Sequence, residues 1–183
     1  MYSQQEALGQ LLDYSALDSD QQKAQEFIVE FVRANSDYWS RANLAGHLTG
    51  SAWITDVRRE HAVLLHHKKL NMWLQPGGHI DADDADLAQA SLREAQEETG
   101  LFDLVLAQPG IFDLDVHRIP ARPSEPEHWH LDVRFWFVSA EQSLVLSHES
   151  NALRWLNRAE IGQLTQEESI MRMVRKSLAT QPI

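Results

Sequence analysis

One segment constrains the fold more than any other, residues 76–101, with the sequence PGGHIDADDADLAQASLREAQEETGL. Two glycines open it, an acidic turn follows, and apolar residues at helical spacing continue to Thr99. We expect Asp83 or Asp84 to cap the helix start, because a short side-chain oxygen can accept an unpaired backbone N–H. We expect Gly100 to end the helix, because glycine adopts the left-handed conformation at no steric cost. The segment therefore predicts a glycine turn followed by a helix with one buried face.

Three carboxylates share one face of this predicted helix, since Glu94, Glu97 and Glu98 stand at positions i, i+3 and i+4. Like charges at this spacing repel each other, and here they lie towards the negative end of the helix dipole. A carboxylate cluster supplies the oxygen ligands that Mg²⁺ prefers, and Arg93 is placed to orient one of them. The alternative is a solvated acidic face that binds nothing. If the three glutamates were the only evidence, this alternative would be the better interpretation.

The spacing of these residues resembles the Nudix box of the Nudix hydrolases. Five residues separate Gly78 from Asp84, eight more lead to Arg93, and the run Arg-Glu-Ala-Gln-Glu-Glu-Thr-Gly-Leu ends at Leu101. This second half matches the family pattern at every fixed position. The first half departs from it, because Asp84 replaces a glutamate and one extra residue precedes Arg93. In the alternative alignment, Ala85 falls at the acidic position and leaves it empty.

The resemblance implies an α/β fold, a Nudix-type α/β/α sandwich around a mixed sheet, over residues 47–183. Residues 1–46 precede it as an N-terminal helical extension with two apolar stripes at helical spacing. The extension could be a dimerisation arm, which would make the protein a homodimer, a lid over the substrate, or a packed cover for the sheet. We favour the packed cover.

The resemblance also implies an activity. The expected enzyme is a metal-dependent Nudix pyrophosphohydrolase that cleaves a diphosphate linkage in a nucleoside diphosphate linked to another group. The three glutamates would hold Mg²⁺, with Mn²⁺ as a second candidate, and Arg93 would orient them. Gly77 and Gly78 would let the backbone approach the substrate. The competing hypothesis is a Nudix-fold module that binds or senses a nucleotide with weak or no catalysis, because the first half of the box is altered.

The formal net charge of −11 argues against a nucleic-acid polymer or an anionic membrane surface as partner, since both require a basic footprint. A small phosphate-bearing substrate would need metal ions to bridge it to so acidic a chain. The sequence has no cysteine, no apolar run of membrane length and no signal-peptide core, so we predict a cytoplasmic protein.

A second polar pattern lies in residues 128–134. With the period of a strand, His128, His130, Asp132 and Arg134 share one face. Two imidazoles and a carboxylate at alternate positions could bind Zn²⁺ or Mn²⁺. The alternatives are a hydrogen-bonded network or a polar wall facing the substrate, which we favour. We therefore predict that His128, His130 and Asp132 contact the substrate.

The remaining pattern predicts strands and helices around these two motifs. The predicted strands cover residues 48–56, 62–66, 104–113, 128–139 and 153–156, and the predicted C-terminal helices cover residues 159–164 and 166–178. The polar turn before the last strand contains Glu149. In Nudix hydrolases this turn often lies near the active site, so Glu149 is a candidate for substrate binding and for the general base. On sequence alone, an exposed turn glutamate is the simpler interpretation.

Overall fold

A computed structural model describes residues 3–122 and 125–178. Within the described residues, two helices come first, four strands precede a central helix, four more strands follow it, and two helices come last. In chain order the elements are α1 (Gln4–Asp13), α2 (Ser19–Ala34), β1 (Gly46–Asp56), β2 (His61–His67), β3 (Met72–Leu74), β4 (Gly77–His79), α3 (Leu87–Thr99), β5 (Val105–Leu106), β6 (Asp113–Ile119), β7 (His128–Ser139), β8 (Ser150–Asn157), α4 (Arg158–Leu164) and α5 (Glu168–Ser177).

The strands of the described residues form one sheet with the order β3-β2-β1-β7-β5. Strand β4 also pairs with β1, β6 with β7, and β8 with β2. Strand β1 is buried along its whole length, as expected of a central strand. Across the described parts of the chain, no helix is both long and apolar enough to cross a membrane.

By its internal packing the chain divides into two compact units, each built from three segments. The first contains residues 1–51, 78–91 and 109–135, and the second contains residues 52–77, 92–108 and 136–183. Strands β1 and β7 and helix α3 contribute residues to both. The predicted boundary between an extension and a Nudix domain at residues 46 and 47 stays a prediction.

The first unit contains the predicted N-terminal helices. Ser3 caps α1 through a capping box with Glu6, and Asp18 caps α2 by accepting the backbone N–H groups of two residues in its first turn. The apolar stripes bury Leu11 and Ile28 completely. Helix α2 packs against β6, and the buried amide of Gln21 donates to a strand carboxylate. This packing supports the interpretation of the extension as a cover.

The second unit contains the C-terminal helices and the β2–β8 pair. Strand β8 runs antiparallel to β2 along its length, and α4 begins directly after it with Asn157 as the N-cap. Helix α5 buries Ile170, Met173 and Val174, and its Ser177 hydroxyl accepts the indole N–H of Trp53 at 2.6 Å. Both predicted helices and the strand before them are confirmed.

The predicted strand at residues 104–113 is wrong. In the structure β5 has two residues, Val105–Leu106, and the next strand begins only at Asp113. Pro109 and Gly110 interrupt the segment, because proline lacks an N–H for a ladder and Gly110 has a left-handed φ of 76°. Alternation of apolar residues concealed this break.

Candidate functional site

Helix α3 carries the acidic segment, and both of its ends are fixed by local contacts. Asp86 caps the start, because its carboxylate accepts the N–H of Gln89 at 2.8 Å and its carbonyl accepts that of Ala90 at 3.0 Å. The predicted cap at Asp83 or Asp84 is therefore wrong. Gly100 has a φ of 72° and its N–H donates to a carbonyl of the last turn, which confirms the predicted helix end.

The guanidinium of Arg93 holds two of the three predicted ligands. Its Nη1 lies 2.9 Å from Oε1 of Glu94 and 3.5 Å from Oε1 of Glu97. Arg93 and Glu94 are half-buried, whereas Glu97 is exposed. With Glu98, three carboxylates and one guanidinium leave a formal charge of −2. The contact with Glu97 is the i, i+4 pair expected from the spacing, and the catalytic role predicted for Arg93 stays a prediction.

Glu98 has a different environment from its two neighbours. Its Oε2 accepts the backbone N–H of Gly77 at 2.8 Å. Burial raises the pKa of Glu98 to about 7; the Gly77 N–H opposes this shift, and the charges of Glu94, Glu149 and Glu97 reinforce it. Negative charge is therefore concentrated at a half-buried position, where a bound cation would stabilise it.

Glu149 lies close enough to Glu98 for its charge to raise the pKa of that carboxyl. Its backbone carbonyl accepts the N–H of Lys68 at 3.0 Å, so the turn before β8 is anchored to the end of β2. Its side chain is half exposed, with Oε1 3.7 Å from Nε2 of His148. The charge of Glu149 therefore acts on Glu98, and the predicted roles of Glu149 stay predictions.

In the first unit, polar side chains of β7 take part in a buried ionic network centred on Arg134. The guanidinium lies 2.7 Å from a carboxylate oxygen of Asp132, 3.2 Å from one of Asp113 and 3.4 Å from one of Asp115. The register of β6 and β7 explains this, since it pairs Asp113 with Arg134 and Asp115 with Asp132. Burial disfavours the charged form of Arg134, but the three aspartates raise its pKa overall.

Neutral donors complete this network. Oδ1 of Asp132 accepts the hydroxyls of Thr49 at 2.9 Å and Ser51 at 2.7 Å, and Oδ1 of Asp113 accepts the amide of Gln21 at 2.6 Å. Asp132 is almost fully buried. These contacts give Asp132 a structural role, and its predicted contact with substrate stays a prediction.

Five histidines gather beside this network. His47 comes from β1, His79 from β4, His117 from β6, and His128 and His130 from β7. The ring centroid of His47 lies 4.8 Å from that of His130, 5.1 Å from that of His79 and 5.2 Å from that of His128. His117 and His130 are directly paired across β6 and β7, with centroids 5.6 Å apart.

Three of these imidazoles are strongly biased to the neutral form. Burial lowers the pKa of His47 and His79 to about 4 and that of His130 to about 2. Neighbouring imidazoles act in the same direction, together with Arg41 in the case of His47 and His79. Neutral rings keep a nitrogen lone pair for a ligand.

A family model described as the NUDIX domain matches residues 47–177. The chain belongs to the Nudix family. The match contains helix α3 with its complete Arg-Glu-Ala-Gln-Glu-Glu-Thr-Gly run, so the resemblance inferred from the sequence is confirmed.

The chain is also similar in sequence and in structure to known proteins. Over 107 residues the chain is 33% identical to the asymmetrical bis(5'-nucleosyl)-tetraphosphatase of Rattus norvegicus, a match that covers 58% of this chain and 66% of the rat protein. The chain thus spans just under two thirds of the length of this curated relative. A Nudix-family hydrolase structure from Clostridium perfringens aligns with a TM-score of 0.55 and 23% identity over 71% of this chain and 95% of that one.

A second structure, the dihydroneopterin triphosphate pyrophosphohydrolase of E. coli, aligns with a TM-score of 0.55 and 17% identity. The alignment covers 70% of this chain and 92% of the E. coli protein. At these identities the two structures support the fold, and the predicted α/β Nudix-type fold with its N-terminal helical region is confirmed.

The irregular first half of the Nudix box forms a closed turn. Asp84 accepts the N–H of Asp81 at 2.8 Å and donates its own N–H to the Asp81 carbonyl at 3.1 Å. Its side chain is buried, and Gly78 lies in β4, which pairs with β1. These hydrogen bonds hold the turn between Asp81 and Asp84 closed, ahead of the helix cap at Asp86.

Two site candidates, His47 and His79, were missed by sequence reasoning. The signal for His47 is the alternation His47-x-Thr49-x-Ser51, which places three polar residues on one face of β1, opposite apolar neighbours. His79 carried no such signal, because it follows the glycine pair in a three-residue strand. Only the strand pairing brings it to the other histidines.

Proposed function

We propose that this Nudix protein is a metal-dependent hydrolase that cleaves a pyrophosphate linkage in a nucleoside diphosphate linked to another group. One observation supports this most strongly. Glu94, Glu97 and Glu98 stand on one helix face, Arg93 fixes two of them, and Gly77 fixes the third through its N–H. A helix selected for stability alone would not concentrate these charges.

The donor set fits a hard divalent cation. Carboxylate oxygens are the ligands that Mg²⁺ and Mn²⁺ favour, and the formal charge of −2 in this cluster provides the attraction. The raised pKa of Glu98 reflects the burial and like-charge repulsion that a cation would offset. When bound, Mg²⁺ would supply charge neutralisation for a pyrophosphate that approaches a chain of net charge −11.

Residues of this chain would position the carboxylates and accept the proton of the attacking water. Arg93 positions Glu94 and Glu97, while the Gly77 N–H holds Glu98 in one orientation. In hydrolysis, water attacks phosphorus, the P–O bond of the anhydride breaks, and the leaving phosphate takes the bonding electrons. The proton of the water passes to a carboxylate, for which Glu149 is our candidate because its charge acts on Glu98 and its side chain is half exposed.

The substrate is proposed by class. The name of the rat relative adds bis(5'-nucleosyl) tetraphosphates to nucleoside diphosphate derivatives as candidates. The acidic charge supports a small-molecule partner over a nucleic-acid polymer or a membrane surface, and a cytoplasmic location stays part of the proposal. Substrate contacts by Gly77, Gly78, His128 and His130 remain part of the proposal, and a homodimer through the extension remains its less favoured arrangement.

A substrate panel tests the proposal. Bis(5'-adenosyl) tetraphosphate, ADP-ribose and a nucleoside triphosphate would each be incubated with the protein in excess Mg²⁺, in Mn²⁺ and in chelator. We expect cleavage of at least one compound at its anhydride, with products identified by mass, and no cleavage in chelator. Saturable binding of a nucleotide in calorimetry without turnover would instead support the sensing module.

A further inference from the structure

Three strands of the first unit bring His47, His79 and His130 to one point. Each offers a ring nitrogen, and these atoms all lie within 4.8 Å of one another. Their ring centroids are 4.8–5.5 Å apart in every pairing. Three imidazoles from β1, β4 and β7 therefore converge without belonging to one sequence motif.

His47 is the decisive member, because its side chain is buried without hydrogen bonds. It is 3% exposed, and neither ring nitrogen has a hydrogen-bond partner within residues 3–122 and 125–178. The backbone of Asn43 raises the pKa of His47 against the larger effect of burial, but no contact to either ring nitrogen meets hydrogen-bond geometry. An unpaired buried polar group is unfavourable, so such a site calls for a ligand.

The surroundings favour a positive ligand. The network of Asp113, Asp115, Asp132 and Arg134 sets three carboxylates against one guanidinium, a formal charge of −2. Asp132 stands two residues from His130 on the same face of β7. A cation at the imidazoles would lie next to this excess negative charge.

We propose that His47, His79 and His130 bind a divalent transition metal, with Zn²⁺ as the best match. Imidazole nitrogen suits zinc, whereas Mg²⁺ seeks oxygen. A tetrahedral zinc site with Zn–N bonds of about 2.0–2.1 Å places its nitrogens about 3.3 Å apart. From separations of up to 4.8 Å, the ring nitrogens would have to approach one another by up to about 1.5 Å. Three protein ligands leave one coordination position for water or a small molecule.

His128 supports the site from outside the ligand set. Its ring stacks on His47, and its Nδ1 lies 2.9 Å from the carbonyl oxygen of Pro126. That contact fixes the ring orientation, as backbone carbonyls do around metal-binding histidines. The proposal does not depend on the hydrolytic function, because the α3 carboxylates contribute no ligand to it.

Zinc binding to tag-free protein tests the proposal. The protein would be stripped with chelator, equilibrated with Zn²⁺ in excess Mg²⁺ to occupy the α3 carboxylates, and assayed for bound zinc by elemental analysis and calorimetry. Co²⁺ substitution would add the visible absorption of a tetrahedral nitrogen site. We expect about one metal ion per chain and a fall in affinity of more than about tenfold in His79→Ala and in His47→Phe.

His61→Ala provides the matched control, because Asp56, Glu60 and His61 form a second group of nearby ligand atoms. That variant and Glu98→Gln should bind zinc as the wild type does. Melting in excess chelator would establish that each variant is folded; should His47→Phe fail, His79→Ala decides. Absence of bound zinc, unchanged affinity in the folded cluster variants, or loss of zinc in His61→Ala would overturn the assignment.

Discussion

Two regions of the molecule contain the same charges, three carboxylates and one arginine, in opposite circumstances. The first consists of Asp113, Asp115, Asp132 and Arg134, and the second of Glu94, Glu97, Glu98 and Arg93. In the first, the arginine side chain is 3% exposed and lies 2.7–3.4 Å from all three carboxylates. In the second, the arginine is 24% exposed and contacts two carboxylates, while the third accepts a backbone N–H and has a raised pKa.

This difference shows that the number of charged groups in a cluster does not by itself determine the role of the cluster. Around Arg134, the carboxylates come from two paired strands and receive further hydrogen bonds from Gln21, Thr49 and Ser51. This region has the geometry of a structural network. On α3, a single helix forces like charges together, and burial leaves Glu98 poorly stabilised as an anion. On this arrangement we base the proposed cation site.

Removal of Arg134 should have the largest effect on stability. Arg134→Met keeps most of the side-chain volume but leaves three carboxylates without their common partner. Breaking a buried ion pair from one side typically costs about 3–5 kcal/mol, and we expect a fall of this size in the free energy of unfolding. Urea denaturation of the variant against the wild type measures it.

Arg175→Met is the matched control, because Arg175 pairs with Glu168 on α5 while both side chains are more than half exposed. Such pairs contribute about 0–1 kcal/mol. Equal losses in the two variants would mean that the Arg134 network is no more structural than a surface pair, and the comparison would fail.

A smaller effect is expected at the end of the carboxylate helix. Gly100 and Gly110 both have left-handed φ values, 72° and 76°. An added Cβ at Gly100 would lie 2.7 Å from Cβ of Val145, whereas at Gly110 it would meet nothing within 4 Å. Gly110→Ala should cost about 1–2 kcal/mol from backbone strain alone, and Gly100→Ala at least about 1 kcal/mol more.

Paired urea titrations of the two alanine variants give this difference directly. A loss in Gly100→Ala no larger than that in Gly110→Ala would show that the contact with Val145 relaxes without cost. The end of α3 would then be less firmly held than the structure implies.

The two regions also differ in how far the sequence could predict them. The α3 carboxylates follow one helical period, so their shared face and the stop at Gly100 could be derived from spacing. The position of Arg134 on one face with His130 and Asp132 could be derived from the period of β7. Its partners Asp113 and Asp115 could not, because their positions depend on the register between β6 and β7.

The same limit explains the errors. The histidine cluster needs β1, β4 and β7 to be paired before His47 and His79 can be seen together, and no local pattern encodes that pairing. The predicted helix cap was wrong because Asp83, Asp84 and Asp86 all match the preference for aspartate at an N-cap. The turn between Asp81 and Asp84 leaves Asp86 as the cap, and this turn could not be derived from the sequence.

The central claim is that the charges on α3, and not those around Arg134, serve catalysis, and Glu98→Gln tests it most directly. The measurement is kcat on the best substrate of the panel in excess Mg²⁺, with Glu30→Gln, an exposed change on α2, as the charge control. Substitution of a residue that only positions a metal ligand typically lowers activity about 10–100-fold. Substitution of a ligand itself should therefore lower kcat more than about a hundredfold. Stability should hold or rise slightly, because a repelled charge is removed. A Glu98→Gln protein that is folded and turns over at the wild-type rate would contradict the account.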